Sequence, residues 1–132
     1  MERVIIESPF KGDYAKNKAY LFMAIRDSLN RGEAPLASHL FYTEVLDDGN
    51  EDDRMKGINA GLSWGEKADS VAIYKDLGIS KGMELGIERH IKNGTPIEYR
   101  TLEGWDLIGN GIDGMDITES LDKIITHIKG GN

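Results

Sequence analysis

The stretch Val71–Arg100, VAIYKDLGISKGMELGIERHIKNGTPIEYR, decides the fold. Val71 to Tyr74 is a short apolar run with the character of a buried strand. A loop carrying Gly78 follows, a helix opens near Ser80, and Gly94-Thr95-Pro96 leads into a second strand. A strand that passes through a loop into a helix leaves free backbone N–H groups and a positive dipole end at the carboxyl edge of a sheet. Open α/β proteins bind phosphate- or sugar-bearing ligands at that edge. Asp76, Ser80, Lys81 and Glu84 all fall there.

Working outward, Val4-Ile5-Ile6 is an apolar β-branched run that stops at Ser8-Pro9-Phe10-Lys11-Gly12, as a buried parallel strand would. Asp13 can cap a helix of about 18 residues with Leu21, Phe22, Ile25 and Leu29 on one face, ended by Arg31-Gly32. Ala34-Pro35-Leu36-Ala37 suits a second strand that opens on Ser38-His39. Thr43 to Asp53 holds six acidic side chains and reads as a solvated loop or a mobile flap. A helix over Asp52 to Lys67 carries Met55, Ile58 and Leu62, and also Gly57, Gly61 and Gly65 four residues apart on one stripe. Each glycine inside a helix costs about 1 kcal/mol relative to alanine. The stripe therefore implies close backbone contact with the sheet or another subunit, or a ligand against the bare face. Gly104 to Ile108 reads as an edge strand or an extended arm, and Gly109 to Gly114 as a turn-rich connection. Asp116 and Glu119 have the capping-box spacing of a last helix with Ile117, Leu121, Ile124, Ile125 and Ile128 on its apolar face.

This alternation predicts one α/β domain over residues 1–132, a three-layer Rossmann-like or flavodoxin-like parallel sheet of four to five strands with helices on both faces. A net charge of −7 disfavours non-specific binding to nucleic acid or anionic membrane. No apolar run approaches the roughly 20 residues of a membrane span. Met1-Glu2-Arg3 leads straight into a strand with no secretory signal, so a cytoplasmic location is expected. The absence of cysteine excludes a disulfide framework and thiolate metal sites. No His/Asp/Glu spacing reads as a metal site, and Ser8–Gly12 is too poor in glycine for a dinucleotide fingerprint. No metal or cofactor is expected.

An opening strand with Ser8-Pro9-Phe10, then APLASH at 34–39, then GISKGM at 78–83 with a helix and Gly94-Thr95-Pro96, resembles the nucleoside 2-deoxyribosyltransferase superfamily. More narrowly, it resembles the small branch of it common in phage and bacterial genomes. The resemblance spans residues 3 to 100 and is most specific over 78–100. It implies chemistry at the N-glycosidic bond of a nucleoside or nucleoside 5′-monophosphate, a glutamate nucleophile, no metal, and a dimer or larger assembly. Cleaving that bond passes through an oxocarbenium-like state that needs a carboxylate near the sugar. An acid near the base can protonate the departing nitrogen.

On this resemblance Glu84 and Asp76 are the catalytic candidates. Ser8, Pro9, Phe10, Gly12, His39, Ser80, Lys81, Gly82 and Met83 would bind the substrate, with Ser80, Lys81 and Gly82 at the phosphate. Two registers stay open. Anchored on Gly82-Met83 and Gly94, the family's glutamate falls at Gly86; anchored on Glu84-Leu85-Gly86, it is Glu84. Two residues turn a helical side chain by about 200°, so the two positions are not equivalent. With Gly86 at the nucleophile position, the same pocket is a non-catalytic nucleotide binder. Plainer uses stand beside each role: Ser80 as a cap, Glu84 as a first-turn acid, Lys81 as a solvated charge, Asp76 in a turn, and His39 in a local hydrogen bond. His90 and His127, on helices, read as structural or exposed.

Overall fold

Val4, Ile5 and Ile6 are all buried, because β1 (Arg3–Glu7) lies inside a sheet with helices on both faces. The computed structural model describes residues 1–130. β2 (Ala34–Leu36), β3 (Ser70–Tyr74) and β4 (Ile97–Arg100) complete a four-stranded sheet of order β2-β1-β3-β4 in which every pair is parallel. Residue alternation divides the core. Val4, Ile6, Ala72 and Tyr74 meet α1 (Tyr14–Asn30) on one face, while Ile5, Val71 and Ile73 meet Met83 and Ile87 of α4 (Lys81–Lys92) on the other.

The caps follow the sequence. Asp13 accepts from Lys16 N, Ser80 from Met83 N and Asp116 from Glu119 N at the starts of α1, α4 and α6 (Ile117–Ile128). In α1 the buried stripe is Asn17, Tyr20, Leu21, Ala24 and Ser28, whereas Leu29, assigned to the apolar face, is half exposed. In α6 Ile124 is fully buried and Ile117, at the first turn, is exposed.

Three segments differ from expectation. Ser38-His39 does not open a loop but starts a short helix, α2 (Ser38–Val45). The acidic run is divided among the end of α2, a short loop and the start of α3 (Glu51–Lys67): Asn50 caps α3, and Glu51, Asp52 and Asp53 occupy its first turn, where negative charge meets the positive end of the helix dipole. Only residues 46–50 remain irregular. The third is Gly104–Ile108, which is neither an edge strand nor an arm. It enters α5 (Trp105–Ile112), which also takes in most of the expected turn after Gly109. Trp105, Ile108, Gly109 and Ile112 stand at i, i+3, i+4 and i+7, a helical period that the glycines obscure. A Cβ on Gly109 would come within 3.1 Å of the Trp105 indole, which packs edge-on against Tyr20 at 4.9 Å between centroids.

The glycine stripe of α3 is likewise used within the chain, against helices rather than the sheet. A Cβ would sit 3.1 Å from Leu46 Cδ1 at Gly57, 2.6 Å from Ser38 Oγ at Gly61, and 2.7 Å from His90 Cε1 at Gly65. The stripe, which in the sequence also suited contact with another subunit, thus has intramolecular partners.

Candidate functional site

β1 ends in an acidic residue. Glu7 reaches the α4 side of the sheet and Ser8 follows at the strand's carboxyl end, where the chain leaves the sheet and backbone pairing stops. Around these two residues opens a cleft of about 490 Å³, within the usual size range of small-molecule pockets. Its walls are Ser38, His39 and Tyr42 of α2, Gly57, Ile58 and Gly61 of α3, and Lys81, Gly82, Met83, Leu85 and Gly86 of α4 with Ser80 before them. No group of side chains suited to a metal ion is present among the described residues.

The floor carries two imidazoles. His90, buried on α4, donates its Nε2–H to Glu7 Oε1 at 3.1 Å. His39 Nε2 is hydrogen-bonded to Ser8 Oγ at 2.9 Å. Burial pushes the His39 pKa below its ordinary value of 6.5, with the Glu7 charge acting in the opposite direction. His39 is therefore neutral at neutral pH, a hydrogen-bonding group rather than a cation. The lining also carries basic groups. Lys81 and Ser80 stand at the N-terminus of α4, and Lys11 and Arg54 also line the cleft. Lys11 Nζ lies 3.4 Å from Asp48 Oδ2, linking the loop after β1 to the loop before α3 across the rim.

Of the residues singled out in the sequence, Ser8, Phe10, His39, Ser80, Lys81, Gly82 and Met83 line this cleft. Pro9 lies in a neighbouring small depression with Phe10, and Gly12, at φ +105, forms the turn beyond without lining the cleft.

The two carboxylates assigned catalytic roles are elsewhere. Asp76 Oδ2 accepts from Tyr20 Oη at 2.6 Å and from Leu102 N at 2.9 Å, fastening β3's exit to α1 and to the segment after β4. Glu84 is exposed on α4, in the first turn and outside the cleft walls. Gly86, two residues on, does face the cleft. A Cβ at Gly86 would lie 3.3 Å from each carboxylate oxygen of Glu7.

Sequence reading missed Glu7 and passed over His90 as structural. Glu7 did leave a signal: an acidic residue directly after Val4-Ile5-Ile6 marks the point where a buried strand stops being buried. His90 left none, because its partner is 83 residues away in the chain.

A parallel α/β sheet with a polar cleft at its carboxyl edge is a ligand-binding architecture. The structure of a 2-deoxyribosyltransferase from the psychrotolerant bacterium Bacillus psychrosaccharolyticus is similar to this one, with a TM-score of 0.61, 12% sequence identity, and coverage of 89% of this chain and 95% of its own. The chain therefore has the nucleoside deoxyribosyltransferase fold. Residues 2–100 match the family described as a domain of unknown function, DUF7768, and the chain belongs to that family. The match ends with the last residue of β4, so it contains the whole cleft and leaves out α5 and α6. No curated protein matches the sequence.

Proposed function

We propose that the cleft binds a nucleoside 5′-monophosphate or a closely related molecule and that the protein acts on its N-glycosidic bond, as a hydrolase or a deoxyribosyltransferase. The observation that carries this reading is the polarity of one cleft. Its lining holds both a carboxylate, Glu7, and the N-terminus of α4 with Ser80 and Lys81. A sugar needs the first as its ring gains positive charge. A phosphate needs the second, because free N–H groups and a cation there make charge-assisted hydrogen bonds. Phe10 and Tyr42, also in the lining, supply aromatic surface for a base. The deoxyribosyltransferase fold supports the same choice.

The second reading is a binder that leaves the nucleotide intact. It is favoured by Gly86 at one candidate nucleophile position and by the exposure of Glu84 at the other. One experiment separates the two. The purified protein is incubated with ribo- and deoxyribonucleoside 5′-monophosphates, and free base is measured by chromatography beside calorimetric binding. Base release supports the enzyme; binding with the nucleotide recovered whole supports the binder; neither rejects the site.

A further inference from the structure

We infer that Glu7 is the carboxylate that faces the reacting sugar, and that His90 is its positioning residue. The inference rests on the N-glycosidic reading above and gives it a residue that the expected positions do not provide.

Three acidic side chains line the cleft: Glu7, Asp48 and Asp53. Asp53 Oδ2 accepts from the Asp47 backbone N–H at 2.9 Å, which ties it to its own loop. Asp48 meets Lys11 on the rim. Glu7 alone of the three comes from the sheet, at the carboxyl end of β1, where it pairs with Ile73 of β3. Its side chain is 20% exposed and that of His90 is 3% exposed, so the pair has one face to solvent and one to the core.

The walls around this pair are cut back to fit it. Any side chain at Gly86 would crowd both carboxylate oxygens at 3.3 Å, and any at Gly65 would strike the His90 ring at 2.7 Å. Both glycines lie inside helices, α4 and α3, where glycine weakens the helix. A structural ion pair in a core needs no such clearance on the solvent side. Gly86 and Glu7 both line the cleft, so the space left by the missing side chain adjoins both the carboxylate and the ligand volume. His90 engages Oε1 and holds the carboxylate against rotation.

The step it serves is the following. The C1′–N bond of the pentose breaks and its electron pair leaves with the base. The base takes a proton from water, and the hydroxyl of that water adds to C1′. Glu7 stabilises the positive charge on the ring as it develops and is unchanged at the end. Moved onto a neutral amide, that stabilisation is lost while the shape of the site is kept.

The test compares wild type, Glu7→Gln, Glu7→Asp and His90→Gln, each first checked by thermal melting, on the same nucleoside 5′-monophosphates. Expected for Glu7→Gln is a fall in base release of about 100-fold or more with affinity held within a few-fold. Glu7→Asp should recover part of the rate. His90→Gln should lower kcat and leave KM nearly unchanged, a split that a merely structural role would not give. Base release by Glu7→Gln at the wild-type rate overturns the inference and leaves the N-glycosidic reading standing. Wild-type binding without base release, or no binding at all, overturns both.

Discussion

Glu7 and His90, 83 residues apart in sequence, are joined by a 3.1 Å hydrogen bond that links the end of the first strand to the last turn of α4. The bond crosses from sheet to helix at the cleft floor. Two helical glycines, Gly65 and Gly86, stand directly against it. The arrangement sets the first expectation about stability.

Gly65→Ala should destabilise the protein although alanine is the better helix former. The gain in helix propensity is about 1 kcal/mol, whereas forcing a methyl group to 2.7 Å from the enclosed His90 ring brings overpacking of about 1–3 kcal/mol. Gly57→Ala should be neutral or stabilising, since the atom it meets at 3.1 Å is the end of the Leu46 side chain, which can turn aside. Thermal melts of the two variants should move in opposite directions. Equal and positive shifts would show that the His90 ring yields freely.

Arg100 is buried and donates to Glu33 at 2.7 and 2.8 Å. This hydrogen bonding holds the Glu33 carboxyl below its usual 4.5, against the opposing effect of its burial. A carboxyl lowered in the folded state stabilises the fold at pH above its unfolded value, and that contribution is lost as pH falls through the folded value. Glu33→Gln should therefore flatten the acid side of the stability profile in urea melts. At neutral pH it should cost about 1–3 kcal/mol, because the buried Arg100 loses one carboxylate partner and keeps Glu98 and Tyr74. An unchanged acid profile would assign the pH dependence to other carboxylates.

His39 should titrate below 6.5 by NMR, since burial disfavours its charged form. An imidazole lowered in this way stabilises the fold fully above about pH 6.5 and loses that contribution as pH falls through its folded-state value. Nucleotide affinity should weaken over the same range if the Ser8–His39 hydrogen bond shapes the site. A ring that titrates at or above 6.5 would mean that the Glu7 charge outweighs desolvation.

Ser80 serves two roles that can be measured separately. As the cap of α4 it should cost about 1 kcal/mol of stability when changed to alanine. As part of a phosphate site it should also reduce the preference for nucleoside monophosphate over nucleoside, by about 1.5–3 kcal/mol for a lost charge-assisted bond. Lys81→Ala should reduce that preference with little change in stability, because Lys81 is exposed. Calorimetry with nucleoside and monophosphate side by side decides; equal affinities in wild type would leave Ser80 a cap alone.

The parts of the fold readable in the sequence were those with a local cause. Val71–Tyr74, the Ser80 cap and the Asp116 cap depend on residues within a few positions of one another, and each stands where expected. α5 was hidden because glycines at 109 and 111 mimic a turn while the apolar period around them is helical. α2 was hidden because Ala37, its N-cap, makes no side-chain hydrogen bond that would mark the start. In the cleft, the residues next to a strand end or a helix start were legible. Asp76 has the right type and place for a site acid, but Tyr20, 56 residues away, accounts for it. That claim on Asp76, like the tie between Glu7 and His90, exists only after folding.

The roof of the cleft is the part least anchored to the rest. Gly65 is the only buried residue of α3, and the helix packs chiefly against α2 and α4 rather than against the sheet. A helix with three interior glycines and so little apolar burial should open ahead of global unfolding. Its backbone amides should thus exchange with solvent faster than those of β1 and β3. Whatever molecule fills the cleft then supplies α3 with the packing its own side chains lack, so occupancy of the site is written into the exchange rate of its roof.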